Sequence, residues 1–291
     1  IYVAFVLVQN DGDDWYLDDI EFDVVEGSNN PPLADFSVDQ NSACEDVAIQ
    51  FNDLSTNSPT EWLWDFGDGN NSTLQNPSHS FSVAGTYNIS LTVTNDDGTD
   101  IETKNNYVTI NANPTVNAGG ALAAICQGSS SSAMGGSIGG GATGGTWSGG
   151  AGSWSNANDF VNATYTAAST ESGSITLILT TSGGSCGVVT DTKNINVSVA
   201  PNAGTIAGAN TINVGNSTSL STNGDLGGTW SSDNNAVATV DASSGLVQGV
   251  SSGSVTISYV VSNAPCNDNV TTYVVTVSSS PGPYTLIPDQ N

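Results

Sequence analysis

Four cysteines are the residues whose chemistry is easiest to predict from this sequence. Cys126 and Cys186 fall in one predicted domain, at its first and penultimate strand-like runs, so the sequence predicts a disulfide between them. Cys44 and Cys266 have no partner inside their own predicted domains. Two alternatives stay open for them: thiols shielded from solvent, or pairing with an unrecognised partner or a second chain. No Cys-x-x-Cys motif occurs, and the single histidine, His79, is too few for the common zinc sites.

Clusters of acidic residues in turns are the candidates for metal binding. Calcium takes six to eight oxygen ligands, and loop carboxylates at close spacing suit it. Asp11, Asp13 and Asp18 are the favoured calcium ligands, and residues 95–100 form a second acidic cluster. The alternative is that Asp, Asn and Gly are present because they form tight turns. No other cofactor is expected.

Catalytic chemistry is not predicted for this chain, and no catalytic residue is assigned. Any Ser or Cys nucleophile would depend on His79 as its base, and His79 is expected to make a structural hydrogen bond instead. No glycine-rich phosphate loop precedes a helix. Carboxylate pairs for glycoside hydrolysis are not excluded, because 28 Asp and Glu residues are present. No segment has the size or pattern of a hydrolase, so we expect the protein not to be an enzyme.

Six tryptophans are candidates either for the core or for stacking on sugars. Trp64, Trp147 and Trp230 occupy alternating positions of strand-like runs and are predicted to be buried. Trp15, Trp62 and Trp154 are the candidates for exposed rings that bind a ligand, and Trp15 and Trp62 are the favoured two.

The charge of the chain restricts its partners. There are 28 acidic residues against two lysines, and the formal net charge is −26. Such a surface repels phosphate backbones and anionic bilayers, so neither nucleic acid nor a membrane surface is an expected partner. No apolar run is long enough to span a membrane. Two basic residues leave trypsin-like proteases little to cleave, as suits a protein outside the cell.

The fold class follows from period-two alternation. In the run 86–95, Tyr87, Ile89, Leu91 and Val93 point to one side and polar residues to the other, which is typical of a half-buried strand. Such runs recur between Gly, Asn, Asp and Ser clusters, so we predict an all-β chain of β-sandwiches, arranged as tandem domains like beads on a string. Pro residues after strand-like runs mark the boundaries. The predicted segments are 1–28, 29–112, 113–199, 200–279 and a tail, 280–291.

An internal repeat relates two of these domains. The run Gly144–Ser148 returns as Gly227–Ser231, and Ser172–Thr176 returns in similar form as Ser252–Thr256. A repeat of this length indicates serial domains of one kind. The glycine-rich segment 135–152 has two interpretations: a mobile insertion, or strands with little side chain to pack.

Residues 31–112 resemble a PKD (polycystic kidney disease) domain. The resemblance is carried by Trp62–Gly69, Asn76–Phe81, Ala84–Tyr87 and Leu91–Asn95. It implies a seven-stranded sandwich, of the kind used as a spacer and sometimes as a ligand-binding module.

Residues 200–279 resemble a group-2 bacterial immunoglobulin-like domain. Ile212–Gly215, Thr229–Ser232, Ala236–Val240 and Ser244–Val247 carry this resemblance. Residues 113–199 are similar to a more distant immunoglobulin-like relative, on the strength of the internal repeat.

Residues 1–28 resemble the last strands of a secreted jelly-roll domain, through Phe5-Val6 and Trp15–Ile20. Since the chain begins inside the strand-like run Ile1–Val8, it is expected to be a piece of a longer precursor. Serial domains of these kinds are typical of giant adhesins and of type IX secretion cargo, so the resemblance implies a bacterial cell-surface or secreted protein.

Three functional hypotheses result. The first is a non-catalytic stalk or adhesive segment, whose partners are other domains of the same large protein or neighbouring copies. The second is a set of accessory domains, binding surface glycans, in a secreted protease or polysaccharide hydrolase. The third is a filament subunit in which Ile1–Val8 completes a neighbour's sheet.

Overall fold

The computed structural model describes residues 30–279, and within them the chain forms β-strands and no helix. The predicted all-β fold class is therefore confirmed. No helix of the length and apolarity that a bilayer span requires occurs in that range. The predicted jelly-roll strands of residues 1–28, the run Ile1–Val8 and the tail 280–291 lie outside the described residues.

The first sandwich contains a five-stranded sheet, in the order β2-β8-β7-β4-β5, and a three-stranded sheet, in the order β1-β3-β6. Its strands are β1 (Phe36–Val38), β2 (Ser42–Cys44), β3 (Ala48–Asp53), β4 (Glu61–Asp65), β5 (Asn71–Ser72), β6 (Ser78–Ser80), β7 (Gly85–Asn95) and β8 (Gly98–Asn111). The predicted alternation along β7 is confirmed, since Ile89, Leu91 and Val93 are completely buried. Trp64 lies between the sheets, with its ring centroid 5.2 Å from that of Phe36.

The middle sandwich is built around a four-stranded sheet in the order β10-β16-β15-β12, with the pairs β9–β11 and β13–β14 completing it. Its strands are β9 (Pro114–Asn117), β10 (Ile125–Cys126), β11 (Ser137–Gly140), β12 (Gly144–Ser148), β13 (Ser153–Ser155), β14 (Thr164–Thr166), β15 (Gly173–Ser182) and β16 (Thr190–Ser198). The short strand β10 runs parallel to β16, and Cys126 lies opposite Ser198, the last residue of β16.

The last sandwich repeats this plan, with a four-stranded sheet in the order β18-β25-β24-β21. Its strands are β17 (Ile206–Ala207), β18 (Thr211–Asn213), β19 (Ser217–Ser219), β20 (Ser221–Thr222), β21 (Thr229–Ser232), β22 (Ala238–Val240), β23 (Leu246–Gly249), β24 (Gly253–Val261) and β25 (Asn269–Ser278). Again the first strand of the large sheet, β18, runs parallel to the final strand, β25.

Equivalent tryptophans anchor the two repeated cores. Trp147 on β12 lies opposite Leu179, and Trp230 on β21 lies opposite Tyr259. Each packs in its own cluster of buried side chains. The internal repeat seen in the sequence is therefore a repeat of structure.

The glycine-rich segment 135–152 forms strands and is not a mobile insertion. It contains β11, β12 and the approach to β13. A Cβ atom on Gly140 would lie 1.9 Å from the carbonyl oxygen of Asn113, and one on Gly136 would lie 3.0 Å from the Trp147 ring. Glycine is needed here because neighbouring backbone and an indole ring come too close for a side chain.

The described residues group into two compact units. The first comprises residues 30–42, 47–81 and 85–109, and the second comprises residues 43–46, 82–84 and 110–279. The second unit contains all four cysteines.

The cysteine pairing differs from the prediction. Cys44 is bonded to Cys186, with Cα atoms 5.6 Å apart, and Cys126 is bonded to Cys266, with Cα atoms 5.0 Å apart. The predicted Cys126–Cys186 bond is wrong, because Cys126 lies beside the end of β16 while Cys186 lies in the loop that precedes its beginning. A strand of this length spans about 30 Å, whereas disulfide-bonded Cα atoms lie within about 7 Å. The alternative of free thiols is also wrong.

Candidate functional site

Each disulfide, together with the residues that are hydrogen-bonded around it, is called a joint. The first joint contains the Cys44–Cys186 bond, and all its residues belong to the second unit. The backbone N–H of Glu45 donates to the carbonyl of Asn111, the last residue of β8, at 3.1 Å. The Glu45 carboxylate then accepts the N–H of Asn113 at 3.0 Å. Cys186 Sγ lies 3.5 Å from the same Asn111 carbonyl oxygen. Hydrogen bonds to one carbonyl and one carboxylate thus hold Glu45 to the strand end and to the following linker, beside the disulfide.

The second joint, around the Cys126–Cys266 bond, has the same construction. The N–H of Gln127 donates to the carbonyl of Ser198, the last residue of β16, at 3.0 Å. The Gln127 side-chain carbonyl accepts the N–H of Ala200 at 3.1 Å. Cys266 Sγ lies 3.6 Å from the Ser198 carbonyl oxygen.

The two joints share a local sequence logic. In each, a cysteine is followed by a residue with a side-chain oxygen, and that oxygen accepts the N–H of the linker residue just before a proline, Pro114 or Pro201. Residues before proline are restricted to extended conformations, and proline offers no N–H of its own. Because proline has no N–H, the donor next to it in the linker is the N–H of the preceding residue, and the side chain of Glu45 or Gln127 accepts that hydrogen bond.

The corresponding place in the last sandwich lacks this chemistry. The N–H of Val214 donates to the carbonyl of Ser278 at 3.0 Å, which reproduces the backbone bond of the two joints. Asn213 stands where the joints have cysteine, and Val214 has no side-chain oxygen. The covalent joint is therefore a property of particular side chains and not of the fold.

The loop that carries Cys266 makes further contacts within the second joint. Asn263 Nδ2 donates to the Val199 carbonyl at 2.8 Å, and the Ser198 hydroxyl donates to the Ala264 carbonyl at 3.3 Å. Each of these bonds runs between the end of the middle sandwich and the last sandwich.

A buried carboxylate braces the second joint from within the middle sandwich. Glu171 is 8% exposed, and it accepts the Tyr165 hydroxyl and the backbone N–H groups of Ala151 and Ala168 at 2.5–2.7 Å. Gln127 Nε2 donates to the Glu171 backbone carbonyl at 2.8 Å, so one side chain connects the joint to this network.

The electrostatics of this pair follow from burial and hydrogen bonding. Burial, and then the bond to Glu171, raise the pKa of Tyr165 to about 12. For Glu171 burial acts to raise the pKa, but the bonds from Tyr165, Ala151 and Ala168 outweigh it and hold the pKa below its ordinary value. The carboxylate is therefore ionised at neutral pH, and the arrangement is a structural brace.

Both lysines are engaged in structure. Lys193 is buried, donates to the Met134 carbonyl and lies 5.4 Å from the Trp147 ring centroid; burial lowers its pKa. Lys104 donates to Asp35 Oδ1 at 2.8 Å, and this bond is the main cause of the lowered pKa of Asp35.

The predicted calcium ligands Asp11, Asp13 and Asp18 lie outside the described residues, and so does Trp15. Among residues 30–279 no group of three or more His, Cys, Asp or Glu side chains is placed to hold a metal ion. In the second acidic cluster, Asp97 accepts the N–H of Asn30 at 3.3 Å and Asp100 accepts that of Ala34 at 2.8 Å. These carboxylates satisfy backbone groups of the first sandwich.

Trp62 is half-buried beside a shallow cleft. Its indole N–H donates to Asp53 Oδ2 at 2.7 Å, which fixes the ring. The cleft measures about 270 Å³ and is lined by Glu61, Trp62, Leu63, Thr73, Thr92 and Thr94. A ligand-binding role for Trp62 stays a prediction. The prediction that Trp64, Trp147 and Trp230 lie in the cores is confirmed.

His79 has a structural hydrogen bond, as expected. Its Nε2 lies 2.8 Å from Asp68 Oδ2, and its ring stacks on Phe66 with centroids 4.1 Å apart. Burial acts to raise the pKa of Asp68, but the bonds from His79 and Asn70 hold it below its ordinary value.

Glu45 and Gln127 are the functional residues that sequence reasoning missed. The signal that could have found them is the repeated dipeptide, Cys44-Glu45 and Cys126-Gln127, together with the repeat that aligns Cys186 with Cys266.

Two regions of this chain match known family models. Residues 29–110 match the PKD domain family model, and residues 193–272 match that of the bacterial Ig-like domain, group 2. The PKD1 domain of Vibrio anguillarum Epp is 31% identical, over 27% of this chain and 94% of that one, with a TM-score of 0.24. The PKD1 domain of the Vibrio cholerae metalloprotease PrtV is 32% identical, over 27% and 96%, also with a TM-score of 0.24. The I67–I69 fragment of titin is 12% identical, over 86% and 99%, with a TM-score of 0.47.

The fold and the disulfides define a class: tandem Ig-like and PKD β-sandwiches of the extracellular kind. Residues 29–110 belong to the PKD domain family, and a group-2 bacterial Ig-like domain follows at residues 193–272. Domains of these families are generally non-catalytic and are typical of extracellular structural or adhesive segments. Disulfides persist in oxidising compartments, which indicates the same location.

Proposed function

We propose that residues 30–279 are a non-catalytic structural and adhesive segment of a large bacterial cell-surface or secreted protein, and that the disulfide joints keep its successive domains attached to each other. The observation that carries this proposal is the repetition of one joint at two places, with the same hydrogen bonds around each disulfide. Its partners are further domains of the same protein, or neighbouring copies.

The energetics of the joints support a covalent role. A single hydrogen bond contributes about 0.5–1.5 kcal/mol net, so a joint held by a few of them opens often. Domains within one chain move relative to each other unless their interface is large and apolar. A disulfide prevents full separation however often the hydrogen bonds break, and it survives only where no thiol system reduces it.

The charge of the chain supports the same role. A net charge of −26 makes neighbouring copies repel each other and keeps a long repetitive protein soluble. Lys193 is buried and donates to the Met134 carbonyl, and Lys104 is partly buried and donates to Asp35. Proteases specific for lysine and arginine therefore meet few accessible sites on the folded segment.

Deleting residues 30–279 from the gene in the source bacterium tests this proposal. We expect the shortened protein to reach the cell surface or medium while cell attachment to surfaces falls. A matched strain carries all four Cys→Ser substitutions, which keeps the length and removes the joints. Unchanged attachment in the deletion strain, combined with loss of a secreted hydrolytic activity, would contradict the proposal.

A second candidate function is an accessory, glycan-binding role in a secreted protease or polysaccharide hydrolase. Two observations favour it: the half-buried Trp62 beside a threonine-lined cleft, and the 32% identity to the PKD1 domain of a metalloprotease. Binding of the chain to insoluble polysaccharides tests it. Trp62→Ala should abolish binding and Leu74→Ala, an exposed residue outside that cleft, should not. If the unsubstituted chain binds no polysaccharide, this candidate fails.

Calcium binding by Asp11, Asp13 and Asp18 is a proposal that rests on the sequence alone. A ligand that binds only the folded state raises the melting temperature by mass action. Melting with calcium and then with a chelator, for the native chain and for the triple Asp→Asn variant, measures this directly. No shift on chelation of the native chain removes the proposal.

A further inference from the structure

The two disulfides cross along the chain. The cysteines occur in the order Cys44, Cys126, Cys186 and Cys266, and each bond joins one cysteine to the next but one, over separations of 142 and 140 residues. Each bond therefore encloses one end of the other. This arrangement differs from three domains with a bond inside each.

We propose that the crossed bonds limit how far the segment extends under tension, and that each bond substitutes for the other if one is reduced. This inference rests on the proposed structural role, because it concerns a chain that is pulled by its two ends.

The covalent connections set the maximum end-to-end length of residues 30–279. The shortest path runs from residue 30 to Cys44, through the bond to Cys186, back along the chain to Cys126, and through the second bond to Cys266 and residue 279. It contains only about 90 residues, and at roughly 3.5 Å per residue it reaches about 300 Å when fully extended. Without the bonds the same segment reaches about 870 Å. Residues 45–125 and 187–265 lie outside the shortest path.

The middle sandwich contains the one long stretch of that path, residues 127–185. Tension enters it through Cys186, in the loop before β16, and leaves through Cys126, beside the end of β16. The two attachment points lie at opposite ends of this strand, so the sandwich is loaded along its strands. Resistance comes from the parallel pairing of β10 with β16, the Gln127–Ser198 backbone bond and the core around Trp147. When this sandwich unfolds, the path gains about 60 residues, or roughly 200 Å.

The crossing also makes the effect of losing bonds strongly non-additive. With only Cys126–Cys266 present, or with only Cys44–Cys186 present, the shortest path contains about 110 residues, so either loss adds about 20 residues or roughly 70 Å. Loss of both adds about 160 residues, or roughly 570 Å. One intact bond therefore preserves most of the limit.

Single-molecule stretching of the whole 291-residue chain, held by tags at its ends, tests the inference. Four proteins are compared: native, Cys44→Ser/Cys186→Ser, Cys126→Ser/Cys266→Ser, and the variant with all four substitutions. Residues 1–29 and 280–291 add the same length to each, so they cancel. We expect each double variant to exceed the native limit by roughly 70 Å and the quadruple variant to exceed it by roughly 570 Å.

A reduction experiment guards against folding defects in the variants. Native molecules stretched before and after addition of a thiol reductant should show the full increase of roughly 570 Å in the same protein. Gains of the two double variants that add up to the gain of the quadruple variant, or a native limit as long as that of the quadruple variant, would overturn the inference. Failure of the proposed function gives a different signature: the limit is observed, but deletion of the segment leaves cell attachment unchanged.

Discussion

The large sheets of the middle and last sandwiches have the same strand plan, yet only the middle sandwich has a disulfide cysteine on its short parallel strand. In both, a short strand runs parallel to the final strand, and the residue after it donates its N–H to the end of that strand. The middle sandwich places Cys126 and Gln127 there, and the last sandwich places Asn213 and Val214. The difference shows that the fold provides the position, and that two side chains decide whether the position becomes a joint.

The largest expected effect compares the two core tryptophans. Trp147→Ala and Trp230→Ala each remove a buried indole, and such a change costs about 3–5 kcal/mol of unfolding free energy. We expect Trp147→Ala to lower hydrogen-exchange protection in β12, β15 and β16, and Trp230→Ala to lower it in β21, β24 and β25. Equal loss of protection in both sandwiches from either substitution would show that the repeats unfold as one unit.

The next effect compares two buried tyrosines whose hydroxyls donate to different acceptors, one charged and one neutral. The Tyr165 hydroxyl donates to the Glu171 carboxylate, and the Tyr259 hydroxyl donates to the Asp225 carbonyl at 2.8 Å. Tyr165→Phe leaves a buried charge short of a partner and should cost about 1.5–3 kcal/mol, whereas Tyr259→Phe should cost about 1 kcal/mol. Urea titration of both variants measures this. A larger loss for Tyr259→Phe would remove the brace from the account.

Acid should weaken the middle sandwich through Glu171. Its pKa in the folded protein lies below the ordinary glutamate value of 4.5, so its contribution to stability is complete above that pH and is lost as the pH falls through the folded-state pKa. The difference in urea midpoint between native protein and Glu171→Gln should therefore be large at pH 7 and small in strong acid. Glu61→Gln, at an exposed carboxylate, serves as the control. A midpoint difference that does not change with pH would contradict the assignment.

The smallest effect concerns the joint itself. Gln127→Ala removes the bonds to Ala200 and to the Glu171 carbonyl, worth about 1 kcal/mol, so transient opening of the joint should become about fivefold more frequent. We expect a thiol reductant to cleave Cys126–Cys266 faster by that factor. Val214→Ala, at the equivalent place in the last sandwich, should leave the rate as it is. Equal rates in Gln127→Ala and native protein would show that the side chain does not hold the joint.

Much of the fold could be predicted from local sequence. Alternation along residues 87–93 identified a strand with one buried face, and the repeated Gly-Thr-Trp-Ser runs identified equivalent core positions at Trp147 and Trp230. Both signals are local, because the direction of a side chain in a strand depends only on its position along that strand.

The joints could not be predicted in the same way. The predicted Cys126–Cys186 bond was wrong because the pattern of strands does not say at which end of a sandwich a loop cysteine lies. The parallel pairing of β10 with the end of β16 decides this. Because β10 contains only two residues, it has no alternating pattern of apolar and polar residues that would identify it in the sequence. The sequence left two interpretations open for the glycine-rich segment 135–152 for a related reason. Glycine is needed at Gly140 because the backbone of Asn113 comes close, and the strand pattern does not show that contact.

Mapping the disulfides of the unreduced protein tests the central claim most directly. The chain, digested under non-reducing conditions with a protease that cleaves at acidic residues, gives cross-linked peptides that mass spectrometry identifies. We predict one pair that contains Cys44 and Cys186 and one that contains Cys126 and Cys266. A peptide pair joining Cys126 to Cys186, with Cys44 and Cys266 as free thiols, would contradict the account.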